Sequence, residues 1–140
     1  MDASEVKLYV DRNVEHMMRQ VGVPHWAVEV TYEPEANPNW MASCNRDGRD
    51  YEHATINIDP AKVQTIKGLH EAIVHELFHI ALASLDVYRD VMRRKLKSEA
   101  EDEQEHILWT HTLETAVMRL EQGIGKSVTA LPEGDEDAES

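Results

Sequence analysis

The stretch from Leu69 to Leu82, Leu-His-Glu-Ala-Ile-Val-His-Glu-Leu-Phe-His-Ile-Ala-Leu, constrains this chain more than any other. Leu69, Ile73, Leu77 and Ile80 recur at helical spacing, and no Gly or Pro falls between Leu69 and Leu85, so the segment reads as a helix with a buried face. Into that apolar helix are set two imidazoles and a carboxylate that packing does not ask for. His75 and His79 lie four residues apart, about 40° around a helix of ~3.6 residues per turn, so their rings project from one face on adjacent turns. That spacing suits two neighbouring ligands of one metal ion. Glu76 lies roughly 100° on from His75, beside the ligand pair, where a general base acting on a metal-held water belongs. The competing reading is a helix whose two histidines are satisfied by nearby carboxylates. It needs something to organise three buried polar groups, whose burial otherwise costs stability.

The chain around this helix alternates between two periodicities. Val6, Val10, Val14, Met17, Met18 and Val21 form one stripe, predicting a helix from about Glu5 to Val21, capped by Asp2 or Ser4 and stopped by Gly22 and Pro24. His25 to Glu33 then alternates apolar and polar residues, as a half-buried strand does. Trp40 to Asn45 and Ala54 to Asp59 read as second and third strands, joined as a hairpin through Asp47-Gly48. Asp59-Pro60 opens a short helical turn running to Gly68. Beyond the histidine helix, Asp86 to Lys97 and Glu99 to Gln122 read as further helices, the last ended by Gly123 and Gly125. The expected class is α+β: an N-terminal helix, a small three-stranded mostly antiparallel sheet, then the active-site helix and C-terminal helices. One domain is expected over 1–124, followed by an acidic, disordered tail over 125–140.

A length of 140 residues fits that single domain. The balance of 27 acidic against 14 basic residues, a net charge of -13, argues against affinity for a phosphate backbone, so no nucleic-acid partner is expected. Arg93-Arg94-Lys95-Leu96-Lys97 is the sole basic cluster, and the acids that follow it make it read as a helix end meeting a helix start. With one cysteine, Cys44, no internal disulfide can form, and no apolar run approaches ~20 residues, so neither a membrane span nor a secretory segment is expected and a cytoplasmic setting follows.

Two imidazoles do not hold a metal alone, and a catalytic site takes a third protein ligand while leaving one position for water. The candidates are Asp86, Glu99, Glu101, Glu103, Glu105 and His106. In the last long helix Leu108, Trp109, Thr112, Leu113, Ala116 and Leu120 read as the inward stripe, and extending it backwards reaches Glu105. Glu105 is therefore the expected third ligand, with Glu101, His106 and Asp86 left open. Two imidazoles and a carboxylate suit zinc better than magnesium or calcium, so one zinc ion per chain is expected.

With the motif His75-Glu76-Leu77-Phe78-His79, a preceding strand Thr55-Ile56-Asn57-Ile58-Asp59 and a later helix bearing Glu105, the chain resembles the zincin metallopeptidases, specifically the minimal gluzincin-like domains of bacterial and phage type. The resemblance covers about residues 25–121. It implies a zincin-like fold in which His75, His79 and a glutamate matched to Glu105 bind zinc, and Glu76 is the catalytic base. It also implies a protein or peptide substrate lying extended along a sheet edge formed by Ala54 to Asp59. Leu85 stands where the metzincin pattern has its third histidine, which excludes that branch, and the acidic balance argues against the DNA-associated SprT-like branch. Tyr51, His53, Tyr88 and His111 are candidates for stabilising the oxyanion, whereas His70 lies off the ligand face. A different class keeps the same fold but uses zinc only to stabilise a binding or assembly module, and a third is a helical scaffold without metal.

Overall fold

Asp2 opens the first helix: its carboxylate accepts the Ser4 amide proton at 2.7 Å, capping α1 (Ala3–Val21). A computed structural model describes residues 1–46, 52–83 and 99–132. Val6, Val10, Met17 and Met18 bury one face of α1, and Gly22 ends it at φ 91°, a left-handed conformation that glycine reaches without strain.

Three strands follow, β1 (Ala27–Thr31), β2 (Ala42–Arg46) and β3 (His53–Ile58), in the spatial order β1-β3-β2. β2 and β3 pair antiparallel as expected of a hairpin, but β1 runs parallel to β3, so the sheet is mixed where a mostly antiparallel one was expected. The cause lies in residues 32–41. A tight turn would set β2 beside β1; instead this segment passes over the end of β3 and is bonded there by side chains. Asn57 accepts from the Glu33 amide at 2.9 Å and the Thr31 hydroxyl at 2.8 Å, and donates to the Glu33 carbonyl at 3.0 Å and to Glu35 at 2.9 Å. Asp59 accepts the Glu35 amide at 3.1 Å, and the Ser43 hydroxyl donates to the same Glu35 carboxylate. One asparagine thus does the work of a missing ladder rung.

This order makes β3 the central strand, with Ala54, Ile56 and Ile58 buried, and leaves β2 as an edge. The expectation that Ala54 to Asp59 forms the free edge is therefore corrected. The strand with the most apolar face takes the middle of the sheet, where that face is covered.

Asp59 caps a 3-10 turn, Pro60–Lys62, and Thr65 caps α2 (Ile66–Ala81), its hydroxyl accepting the Gly68 amide proton at 3.0 Å. Gly68 accordingly lies inside α2 rather than ending the turn before it. Leu69, Ile73, Val74, Leu77, Phe78 and Ile80 join α1 and β3 in one core. The long α3 (Glu99–Gly123) adds little to that core: Val117 is its one buried residue, while Ile107 and Leu108 stand 65% and 66% exposed.

After a second 3-10 turn, Gly125–Ser127, the chain folds back along α1. The Thr129 amide donates to Gln20 at 2.9 Å, the Gln20 amide donates to the Thr129 carbonyl at 2.7 Å, and the Leu131 amide donates to Asn13 at 2.9 Å. Val128 is buried, and its carbonyl accepts from His70 Nε2 at 2.8 Å, which leaves His70 Nδ1 to accept the Tyr9 hydroxyl at 2.7 Å. Residues 125–132, expected to begin the tail, are thus sewn onto the domain. The expected helix Asp86 to Lys97, the Asp47-Gly48 turn and the acidic residues 133–140 lie outside the described residues. No helix among the described residues is long and apolar enough to cross a membrane.

Because Asn57 satisfies both backbone groups of Glu33, Asn57→Ala should lower unfolding free energy by about 2 kcal/mol in urea titration. A loss below about 0.5 kcal/mol would show that residues 32–41 are held by something else.

Candidate metal centre

α2 carries His75 and His79 toward α3, their ring centroids 5.0 Å apart and their side chains 27% and 18% exposed. The carboxylate that meets them is Glu114. Its Oε2 lies 3.5 Å from His75 Nε2 and its Oε1 lies 2.8 Å from His79 Nε2. One donor atom from each of the three residues falls within 4.8 Å of the others, so the group can hold a metal ion. Tetrahedral bonds of about 2.1 Å keep ligand atoms about 3.4 Å apart. The His75 spacing already matches this. The His79 spacing matches if Glu114, whose side chain is 47% exposed, draws back by roughly half an ångström.

Glu121, seven residues and about two turns further along α3, hydrogen-bonds His75 Nδ1. His75 therefore faces a carboxylate at each ring nitrogen. A neutral imidazole has a single N–H. If Nδ1 donates to Glu121, the Nε2 lone pair is aimed at the Glu114 carboxylate, a repulsion that only a proton or a metal cation relieves. The arrangement calls for positive charge between His75, His79 and Glu114.

Glu105 is not part of this group, which corrects the expected third ligand. It stands nine residues before Glu114 on the same helix, about 13.5 Å along the axis and half a turn around it. There it lines a separate surface hollow with Glu101, Leu108 and Trp109. The groove-facing line of α3 is Thr110, Leu113, Glu114 and Glu121, with Val117 buried beside it, about one residue round from the stripe read off the sequence, of which Leu120 packs against the core. Glu101 and His106 also fall outside the group, and Asp86 lies outside the described residues. The signal that points to Glu114 is the pair Glu114 and Glu121, seven apart on the face that also carries Val117.

Glu76 is 7% exposed, and among the described residues no hydrogen bond reaches its carboxylate. Burial pushes its pKa up to about 7; His75 pulls the other way, while the nearby Glu114, Glu35 and Glu121 add to the rise. A carboxyl titrating near neutrality in a cleft is suited to taking and returning a proton.

These groups line one groove of about 910 Å³. Its walls are α2 with Glu71, His75, Glu76 and His79, α3 with Thr110, Leu113, Glu114 and Glu121, and the edge strand β2 with Met41 and Trp40 before it. The sheet edge beside the histidines is thus β2 rather than β3. His53 and His111, two of the oxyanion candidates, are not among the lining residues, and Tyr51 and Tyr88 lie outside the described residues. Comparison with protein-family models finds no match, and comparisons with curated proteins and with solved structures find none either.

The buried Glu76 predicts a pH-dependent stability. An unperturbed glutamate ionises near 4.5, Glu76 in the fold near 7. Below pH 4.5 both states are protonated and burial of the carboxyl carries no ionisation penalty. Between those values the unfolded chain releases a proton that the folded chain keeps, so stability falls as pH rises; above pH 7 the penalty is complete. In metal-free protein at pH 8, Glu76→Gln should therefore stabilise by about 2–3 kcal/mol, a gain that vanishes as pH falls toward 4.5. Thermal melts of both proteins across that range check this, and parallel curves would contradict it.

Proposed function

We propose that this chain is a zinc-dependent peptidase, a reading carried by one observation: His75, His79 and Glu114 converge in a groove whose wall also holds the buried, hydrogen-bond-free carboxylate of Glu76. Two imidazole nitrogens and a carboxylate oxygen fit zinc by donor type, and three protein ligands leave a position for water. A purely structural site has no use for a base beside it. The His-Glu-x-x-His spacing and its likeness to the zincins support the same reading, as does the place of β2 at the edge of the sheet among the described residues, where an extended peptide can add as a strand. A cytoplasmic setting accords with the single cysteine.

In this reading His75 and His79 present their Nε2 atoms and Glu114 its carboxylate to the metal. Zinc, when bound, supplies a Lewis acid that acidifies a water and polarises the scissile carbonyl. Glu76 takes the proton from the attacking water and hands it to the leaving amine. Glu121 acts through His75: by accepting from Nδ1 it fixes the tautomer whose Nε2 lone pair faces the metal position. The low polarity around Glu76 that raises its pKa also strengthens its pull on that proton.

Zinc-loaded protein incubated with a mixture of unstructured peptides, read by mass spectrometry, tests the proposal. Wild type should cut. Glu76→Gln should keep one zinc per chain while the cleavage rate falls by about 10²–10⁴-fold. Equal cleavage by the two proteins would remove Glu76 from the chemistry. A second reading is favoured by the fact that Glu114 and Glu121 already engage both histidines: a metal-stabilised binding module, in which wild type cuts nothing and Glu76→Gln changes no function.

A further inference from the structure

The composition of the groove around the metal position says something about what can enter it. Its lining includes four carboxylates, Glu71, Glu76, Glu114 and Glu121, and no Lys or Arg among the described residues. The ammonium of Lys62, held behind the rim, is already engaged by the Asn37 carbonyl at 3.0 Å, the Trp40 carbonyl at 2.9 Å and Asp59 at 3.6 Å. Among the described lining residues, Glu71, Glu114 and Glu121 alone outnumber a bound divalent cation by one negative charge. Glu76, 7% exposed, lines the same groove, so its carboxylate adds to the acidic wall that an entering group meets.

Two further residues give that excess a direction. Glu71 precedes His75 by four residues and so stands one turn back on the same face of α2, exposed at the groove. Trp40, 52% exposed, stands on the opposite wall where the chain enters edge strand β2. A large aromatic left in water at a groove rim is a surface on which a guanidinium or an ammonium can stack. The network of Asn57, Glu35 and Asp59 holds the segment that carries Trp40, so the indole is presented by a fixed loop.

We infer that the groove takes an extended peptide segment bearing Lys or Arg, its backbone along the edge of β2 and its cationic side chain between Trp40 and Glu71. This rests on the peptidase reading for what happens next, but the recognition itself needs only binding. Acidic segments are repelled, and neutral ones lack the charge to compete.

The test uses zinc-loaded Glu76→Gln protein, in which turnover is slowed and Glu71, Glu114 and Glu121 keep the groove acidic, and three fluorescein-labelled decapeptides that differ only in carrying two Lys, two Ser or two Glu, read by anisotropy. The Lys peptide should bind at least about tenfold more tightly than the Glu peptide, with a marked salt dependence. Glu71→Lys should weaken it by about tenfold and Trp40→Ala by about threefold. Glu15→Lys, the same charge change at an exposed position of α1, should leave it unaltered. Circular dichroism confirms that each variant is folded. Equal binding of the three peptides, indifference to Glu71→Lys, or an equal loss in Glu15→Lys would each overturn the inference, the last by reducing it to bulk charge. Wild-type protein given the same Lys peptide separates the two claims: preferential binding without cleavage upholds the cationic groove and removes the peptidase, whereas cleavage of all three peptides at one rate does the reverse.

Discussion

Imidazoles carried on a buried helix must be met by partners, and much of this structure is arranged to supply them. α2 lies against the sheet and α1 through Leu69, Ile73, Leu77 and Ile80, which leaves His75 and His79 facing α3. α3 in turn has one buried apolar residue, Val117, in 25 residues, too little apolar contact to hold a helix of that length by itself. Among the described residues, Val117 and the partly buried Leu120 are joined in docking it by the meeting of Glu114 and Glu121 with the two histidines and by the return of residues 128–132 onto α1 through Gln20 and Asn13. The carboxylates of the candidate site thus also contribute to docking the last helix. A cation at the histidines would strengthen both.

The mixed sheet matters for the same reason. Had β1 and β2 formed a simple hairpin, β3 would stand at an edge and no loop would cross its end. Crossing over β3 and being pinned by Asn57 and Asp59, the chain delivers Trp40 to the groove rim and places β2 at the edge of the sheet beside the histidines. The groove is therefore walled by the edge strand, a helix with the candidate histidine ligands and Glu76, and a helix with the carboxylates Glu114 and Glu121.

Periodicity carried the strongest parts of this fold. On α1 Val6, Val10, Met17 and Met18, and on α2 Leu69, Ile73, Leu77 and Ile80, are buried as the sequence nominates, while Asn13, Val74 and Phe78 are buried beyond the stripes read there. Two features escaped for identifiable reasons. Strand order depends on where residues 32–41 travel, which is decided by side chains of Asn57 and Asp59 that bond across more than 20 residues and leave no local pattern. The third partner of the histidines depends on the rotational phase of α3, and that helix has so few buried residues that its apolar pattern is ambiguous. Reading Leu108 and Trp109 as inward points to Glu105; the structure turns the helix by one residue, leaves Leu108 in solvent and brings Glu114 to the histidines. The two histidines and Glu76 needed no such choice, because one continuous helix fixes their relative positions.

The most direct test is a competitive zinc titration against a chromophoric chelator, comparing wild type with Glu114→Ala and Glu105→Ala. The account predicts one zinc site per wild-type chain, an affinity unchanged in Glu105→Ala, and a loss in Glu114→Ala greater than the roughly 10–100-fold that removing an outer partner of a metal ligand costs. Zinc binding that survives Glu114→Ala intact, or that disappears with Glu105→Ala, would contradict it.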